Sequence, residues 1–273
     1  MISRRLFIQA LSAPVLLSAL PRAALADQLD SIKKAGVLRV GVPQDYPPFG
    51  FMGSDMTLQG YDIEMAKYFA KALGVKCRLL PVTSANRIPF MQSGKADIIV
   101  STLGKSPARH KVIDFSIAYA PTFQGVFGPA SIKASKPADL AGHSIGFTRG
   151  ANEDQALTPV LPKSARVMRY EDNNTTVQAY LTGQVECVAM LNLVATALTE
   201  KAKPGRRPAL LFKIRNSPCF AGIPKGQPAL RAALNAAITK AFKEGTLEAW
   251  SRKYLKGPIP KDLLTQEPEQ AKF

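Results

Sequence analysis

The 273-residue chain carries 36 Lys and Arg against 20 Asp and Glu, a formal charge of +16, and three cysteines with no CxxC pair. The cysteine spacing argues against a metal site. The basic residues are scattered, with no arginine-rich tract or aromatic-basic repeat that would follow a phosphate backbone, so nucleic acid is not an expected partner. Such a field favours anionic ligands.

At the amino terminus, Ser3-Arg4-Arg5-Leu6-Phe7-Ile8 precedes a modest apolar run and the small residues Ala24-Leu25-Ala26. This pattern predicts a removed export signal over residues 1–26. The paired arginines with Ser3 and Phe7 point to the twin-arginine route. Removing this segment takes Arg4, Arg5 and Arg22 away, which lowers +16 to +13 and leaves 247 residues. That length suits two domains, and no further long apolar run follows. In an oxidising compartment Cys187 and Cys219 are free to bridge, while at least one of the three thiols stays unpaired within a monomer.

From Leu38 onward, short apolar runs alternate with amphipathic stretches, which predicts α/β lobes with mostly parallel sheets. Leu38, Val40 and Val42 alternate as a strand. After Pro47-Pro48, Asp62 opens a helix in which Met65, Phe69 and Leu73 share a face. Cys77 to Val82 reads as a strand, Asn86 to Gly94 as a short helix with Pro89 in its first turn, and Ala96 to Val100 as a buried strand. Character changes near Phe127 to Pro129, and Ser144 to Phe147, Val167 to Tyr170 and Val185 to Met190 repeat the alternation. Cys219 to Ile223 reads as a strand crossing back. Leu230, Leu234, Ile238 and Phe242 then line one face of a long helix ended by Gly245. Lobe 1 is therefore expected over 27–127 and 222–273, lobe 2 over 128–221, with a two-stranded hinge and a ligand cleft between them. The polar tail after Pro260 is expected to be loosely ordered.

Several segments together resemble a known family: Leu38-Arg39-Val40-Gly41, Tyr46-Pro47-Pro48-Phe49, Gly60-Tyr61-Asp62-Ile63, Gly94-Lys95-Ala96-Asp97 and the run from Arg109 to Ser116. Their order and spacing are similar to those of the polar-amino-acid, family 3 periplasmic solute-binding proteins of ABC importers. Thr83 to Pro89 and the stretch from Trp250 to Pro260 look most like the glutamate/aspartate-binding branch. The resemblance implies a periplasmic-binding-protein-like type II fold, with two α/β lobes joined by a two-stranded hinge. It also implies a monomer that hands a small carboxylate-bearing solute to a membrane permease, without cofactor or metal.

The family resemblance implies that Arg109 clamps the ligand carboxylate, with Thr102 and Gly104 supplying hydrogen bonds. A strand-to-helix turn and a fixed guanidinium suit that role. The alternative for Arg109 is a surface pair with Asp114. Gly104 stands where a Ser or Thr is usual. The branch resemblance sets Arg87 and Ser84 against the side-chain carboxylate of an acidic ligand, although another basic residue of that branch is replaced by Pro43. Tyr46 is expected to wall the ligand, Phe49 to pack in the core, and Asn152 to act from the second lobe. An Asp that normally holds the ligand ammonium is replaced by Leu191. Asn192, Glu153 or Asp172 are the candidates to compensate; otherwise the ligand lacks a free amine. An enzyme of the same fold, such as a cyclohexadienyl (arogenate/prephenate) dehydratase, is the alternative, with Glu153 as acid or base. The absence of an evident acid/base pair favours a binding protein, and His110 and His143 lack the spacing of a metal pair or triad.

Overall fold

The computed structural model describes residues 27–271, so the expected export signal lies outside the described residues. The chain opens with α1 (Gln28–Ala35), β1 (Val37–Val42), β2 (Asp45–Tyr46), β3 (Gly50–Met52), β4 (Leu58–Gln59) and α2 (Tyr61–Leu73). It continues through β5 (Lys76–Pro81), α3 (Arg87–Gln92), β6 (Ile98–Ile99), α4 (Pro107–His110) and β7 (Ile113–Ala120). Helix α2 forms where the apolar spacing predicts it, burying Ile63, Met65, Ala66, Phe69 and Ala70 along one face.

The second half holds β8 (Phe123–Gly128), β9 (Ser144–Thr148), α5 (Asn152–Leu157), β10 (Arg166–Tyr170), α6 (Asn173–Thr182), β11 (Cys187–Leu191), α7 (Asn192–Leu198) and β12 (Ala209–Asn216). The chain then returns through β13 (Cys219–Pro224), α8 (Pro228–Lys243) and α9 (Thr246–Trp250). One five-stranded sheet has the order β5-β1-β6-β13-β7, the other β10-β9-β11-β8-β12. In each, four strands share one direction and one, β13 or β8, runs against them.

Each reversed strand, β8 or β13, is the one that follows a crossing, and together they move the lobe boundaries. Residues 127/128 and 221/222 fall inside β8 and β13 rather than between lobes. The apolar run of β8 pairs with β11 and β12 in the second sheet, and β13 pairs with β6 and β7 in the first. The change of character near Phe127 thus marks the end of a buried strand. The crossings are at Pro121-Thr122 and Ser217-Pro218. There Ser217 N–H donates to the Thr122 carbonyl at 3.0 Å, and the Thr122 hydroxyl donates to the Ser217 carbonyl.

The tail also departs from expectation, because it has partners. Leu263 is fully buried in the first lobe, and both Glu267 oxygens accept from Lys105 Nζ at 2.5 and 2.7 Å. Glu269 then accepts from the Asn216 side-chain amide at 2.5 Å and donates its own N–H to the Asn216 carbonyl at 3.2 Å. Ala271 packs on the apolar cluster of the second lobe around Ile145, Phe147 and Phe212. The tail is a strap from one lobe to the other. Cys187 and Cys219 lie in different sheets, and all three cysteines are free.

Candidate functional site

The cleft between the lobes is lined by Tyr46, Ser84, Arg87, Thr102, Gly104 and Arg109 of the first lobe. The second lobe supplies Gln124, Thr148, Ala151, Asn152, Glu153, Asn173, Ala189 and Leu191. Water centres fit in only about 20 Å³ of it, room for about one or two molecules, so the walls are drawn together.

Arg109 reaches the cleft from a short helix whose start is written locally. Ser106 accepts from the Arg109 N–H at 3.3 Å and Pro107 occupies the first turn. Arg109 is 5% exposed. It donates to the Gly104 carbonyl at 2.8 Å and, across the cleft, to the Gly150 carbonyl at 2.9 Å. Burial first, and then the positive charge of Arg87, presses its pKa well below the ordinary value. A guanidinium keeps its proton in such a setting, so an anion is the natural relief. The surface alternative does not hold, since Asp114 accepts from Lys225 and from the Gly226 amide instead.

Arg87 opens α3 after a turn in which Thr83 and Asn86 exchange side-chain to backbone hydrogen bonds. It is 3% exposed, and its Nη1 donates to the Ser101 carbonyl. Its Nε is buried with no hydrogen-bond partner, an arrangement that costs free energy until an acceptor arrives. Tyr46 is buried, accepts the Leu191 N–H at 3.3 Å across the lobes, and stacks near Phe49, which is in the core as expected.

Two glycines make the close approach of the walls possible. A Cβ at Gly104 would lie 2.6 Å from Ser217 Oγ and 3.0 Å from Asn152 Nδ2, so a larger residue would push these two side chains aside. Gly150 has φ +78° and would drive a Cβ to 2.9 Å from the Ser84 carbonyl and from Ala85 Cα. Asn152 uses the space at Gly104, donating to the carbonyls of Gly104 and Lys105 at 3.1 and 3.4 Å. Its Oδ1 is buried and unpaired.

Of the three candidates for the missing ammonium partner, one faces the cleft. Glu153 is 6% exposed, and no other residue's hydrogen bond reaches its carboxylate among the described residues. Burial raises its pKa, against the pull of its own backbone amide and of Arg109, Arg215 and Arg87. Asp172 instead caps α6, accepting from Thr175 N–H at 2.7 Å. Asn192 does not join the cleft: its Oδ1 accepts from Phe123 N–H at 3.0 Å at the hinge. Seven of the eight expected ligand contacts thus come together, Asn192 being the exception.

Gln124, Thr148, Asn173 and Ala189 were not evident from the sequence. Thr148 and Asn173 do sit where a strand ends or a helix starts, the positions that face a cleft in α/β folds. Outside the cavity, Asp45 ties its mouth: its carboxylate accepts from Asn173 N–H at 2.9 Å, Asn173 Nδ2 at 3.1 Å and Asn174 N–H at 3.2 Å.

Two α/β lobes closing on a buried guanidinium define a solute-binding protein. Residues 38–257 match the profile of bacterial extracellular solute-binding proteins, family 3, and the chain belongs to that family. The L-cystine-binding protein TcyJ of Escherichia coli is 30% identical over 239 residues, 85% of this chain and 88% of its own. A glutamate/aspartate import solute-binding protein of Salmonella typhimurium is 23% identical over 248 residues, 87% of this chain and 82% of its own. Among solved structures, the cysteine-binding protein of Campylobacter jejuni superposes with a TM-score of 0.78 at 26% identity, covering 90% of this chain and all of that one. The ancestral amino acid-binding protein AncCDT-1, a precursor of cyclohexadienyl dehydratase, gives 0.76 at 30% identity, covering 84% and 99%.

Proposed function

We propose that this protein binds a polar or acidic α-amino acid in the cleft and delivers it, as a periplasmic monomer, to the permease of an ABC importer. The observation that carries this reading is the pair of opposite charges buried on facing walls, Arg109 on the first lobe and Glu153 on the second. An α-amino acid meets both, its carboxylate at the guanidinium and its ammonium at the carboxylate. Asn152 Oδ1 offers the ammonium a second acceptor. A zwitterion placed this way leaves Arg87 and Ser84 for a side chain, and the unpaired Arg87 Nε calls for an acceptor on it. Relatives described as binding cystine, glutamine or glutamate/aspartate support the amino-acid class.

Thermal shift and calorimetry with L-glutamate, L-aspartate, L-glutamine and L-cystine, beside succinate and glutarate, test the assignment. The amino acids should stabilise the protein and the dicarboxylates should not. Glu153→Gln should weaken the amino acids by about tenfold or more, the scale of a charge-assisted hydrogen bond lost in a buried site. Equal binding of glutarate and glutamate by the unaltered protein would remove the ammonium subsite.

A second reading rests on the same side chain. A buried carboxyl whose pKa is raised, facing a closed cavity, is also the form a general acid takes. The kinship with a cyclohexadienyl dehydratase and its ancestral precursor adds to it. Incubation with prephenate and arogenate decides: turnover that disappears in Glu153→Gln supports the enzyme, and no turnover leaves the binding reading.

A further inference from the structure

Asp62 is fully buried and does not line the cleft, yet its carboxylate lies directly behind it. Its Oδ2 accepts the Thr102 N–H at 2.7 Å and its Oδ1 accepts the Tyr119 hydroxyl at 2.8 Å. Tyr119 is itself fixed, because the Tyr61 hydroxyl donates to its backbone carbonyl at 2.8 Å and the two rings stack 6.2 Å apart.

The residue held by Asp62 is in an unusual conformation. Thr102 has φ +44°, in the left-handed region that β-branched side chains rarely adopt. It occupies the centre of the loop from Ser101 to Gly104. The Ser101 carbonyl accepts from Arg87 and the Gly104 carbonyl from Arg109. A loop that relaxed at Thr102 would turn both carbonyls, and with them both guanidiniums. We propose that Asp62 is a positioning residue for the cleft: by holding the Thr102 amide it keeps the 101–104 loop in the turn that aims Arg87 and Arg109 at the solute.

The alternative is that Asp62 serves only the packing of α2, and a double-mutant cycle separates the two. In the full-length protein, Asp62→Ala should speed amide exchange at Thr102 by about tenfold or more, since that N–H loses its acceptor. Asp62→Asn can still offer a carbonyl to Thr102 while its amide donates to the Tyr119 oxygen, and it should stay near the wild-type rate. Affinity for L-glutamate and L-cystine should fall about tenfold in Asp62→Ala, but by no more than about threefold when the same change is made in a Thr102→Gly background. Glycine adopts the left-handed turn without help. Asp62→Ser serves as a second variant if the alanine protein does not fold.

The affinity arm rests on the amino-acid reading, whereas the exchange arm does not depend on what the cleft holds. Wild-type exchange at Thr102 in Asp62→Ala, or the same loss of affinity in both backgrounds, would overturn the proposal.

Discussion

The two walls of the cleft are built differently. On the first lobe the functional groups are fixed from behind: Arg87 and Arg109 each donate to a loop carbonyl, Thr102 is held by Asp62, and Arg109 comes off a capped turn. On the second lobe Glu153 has no such anchor, and Asn152 keeps an unpaired oxygen. The contrast assigns the work. On the proposed reading, the first lobe would serve as a preorganised receptor for the carboxylate that amino acids share, and the second would supply adaptable contacts that complete the site.

If that division is right, the largest loss should come from the first wall. Arg109→Ala should weaken amino-acid binding by about 3 kcal/mol, roughly a hundredfold or more, as measured by calorimetry. A loss comparable with that of a second-lobe change would erase the contrast between the walls.

The contacts that join the walls outside the cavity should matter less and act on a different rate. Asp45→Ala removes three hydrogen bonds to the start of α6 without touching the cavity. Stopped-flow measurement should show dissociation faster by about fivefold with association nearly unchanged, the signature of a weakened closed form. A slower association instead would mean that Asp45 guides entry.

The smallest effect is expected from the strap. Ending the chain after Gln266 removes Glu267 and Glu269, whose carboxylates are largely exposed. The melting temperature should fall by about 1–3 °C, since the Glu269 pair is exposed and buried Lys105 meets Glu267 at its water-facing side, where such pairs contribute about 0–1 kcal/mol each. A much larger drop would show that the lobes depend on the tail for their packing.

Much of the first wall was legible because its determinants are local. The faces of α2 and α8 follow from spacing alone, and Ser106-Pro107 marks the turn that presents Arg109. The second wall was less so. Leu191 and Asn192 are neighbours, but one is the last residue of a strand and the next begins a helix, so Leu191 lines the cleft while Asn192 turns to the hinge. Gln124, Thr148 and Ala189 come from three strands that meet only after the sheet has assembled. The lobe boundaries moved for a related reason, because a strand that crosses over carries the apolar character of the sheet it joins.

The strap has one more consequence, for the geometry of the chain's ends. Asp27 is fastened to the first lobe, accepting from the Ala229 and Leu230 amides at 2.8 and 3.1 Å, whereas Ala271 rests on the second. The two ends of the described residues therefore ride on opposite jaws. A pair of fluorophores attached at those two points would change separation as the jaws move, turning solute capture into an optical signal without any label inside the cleft.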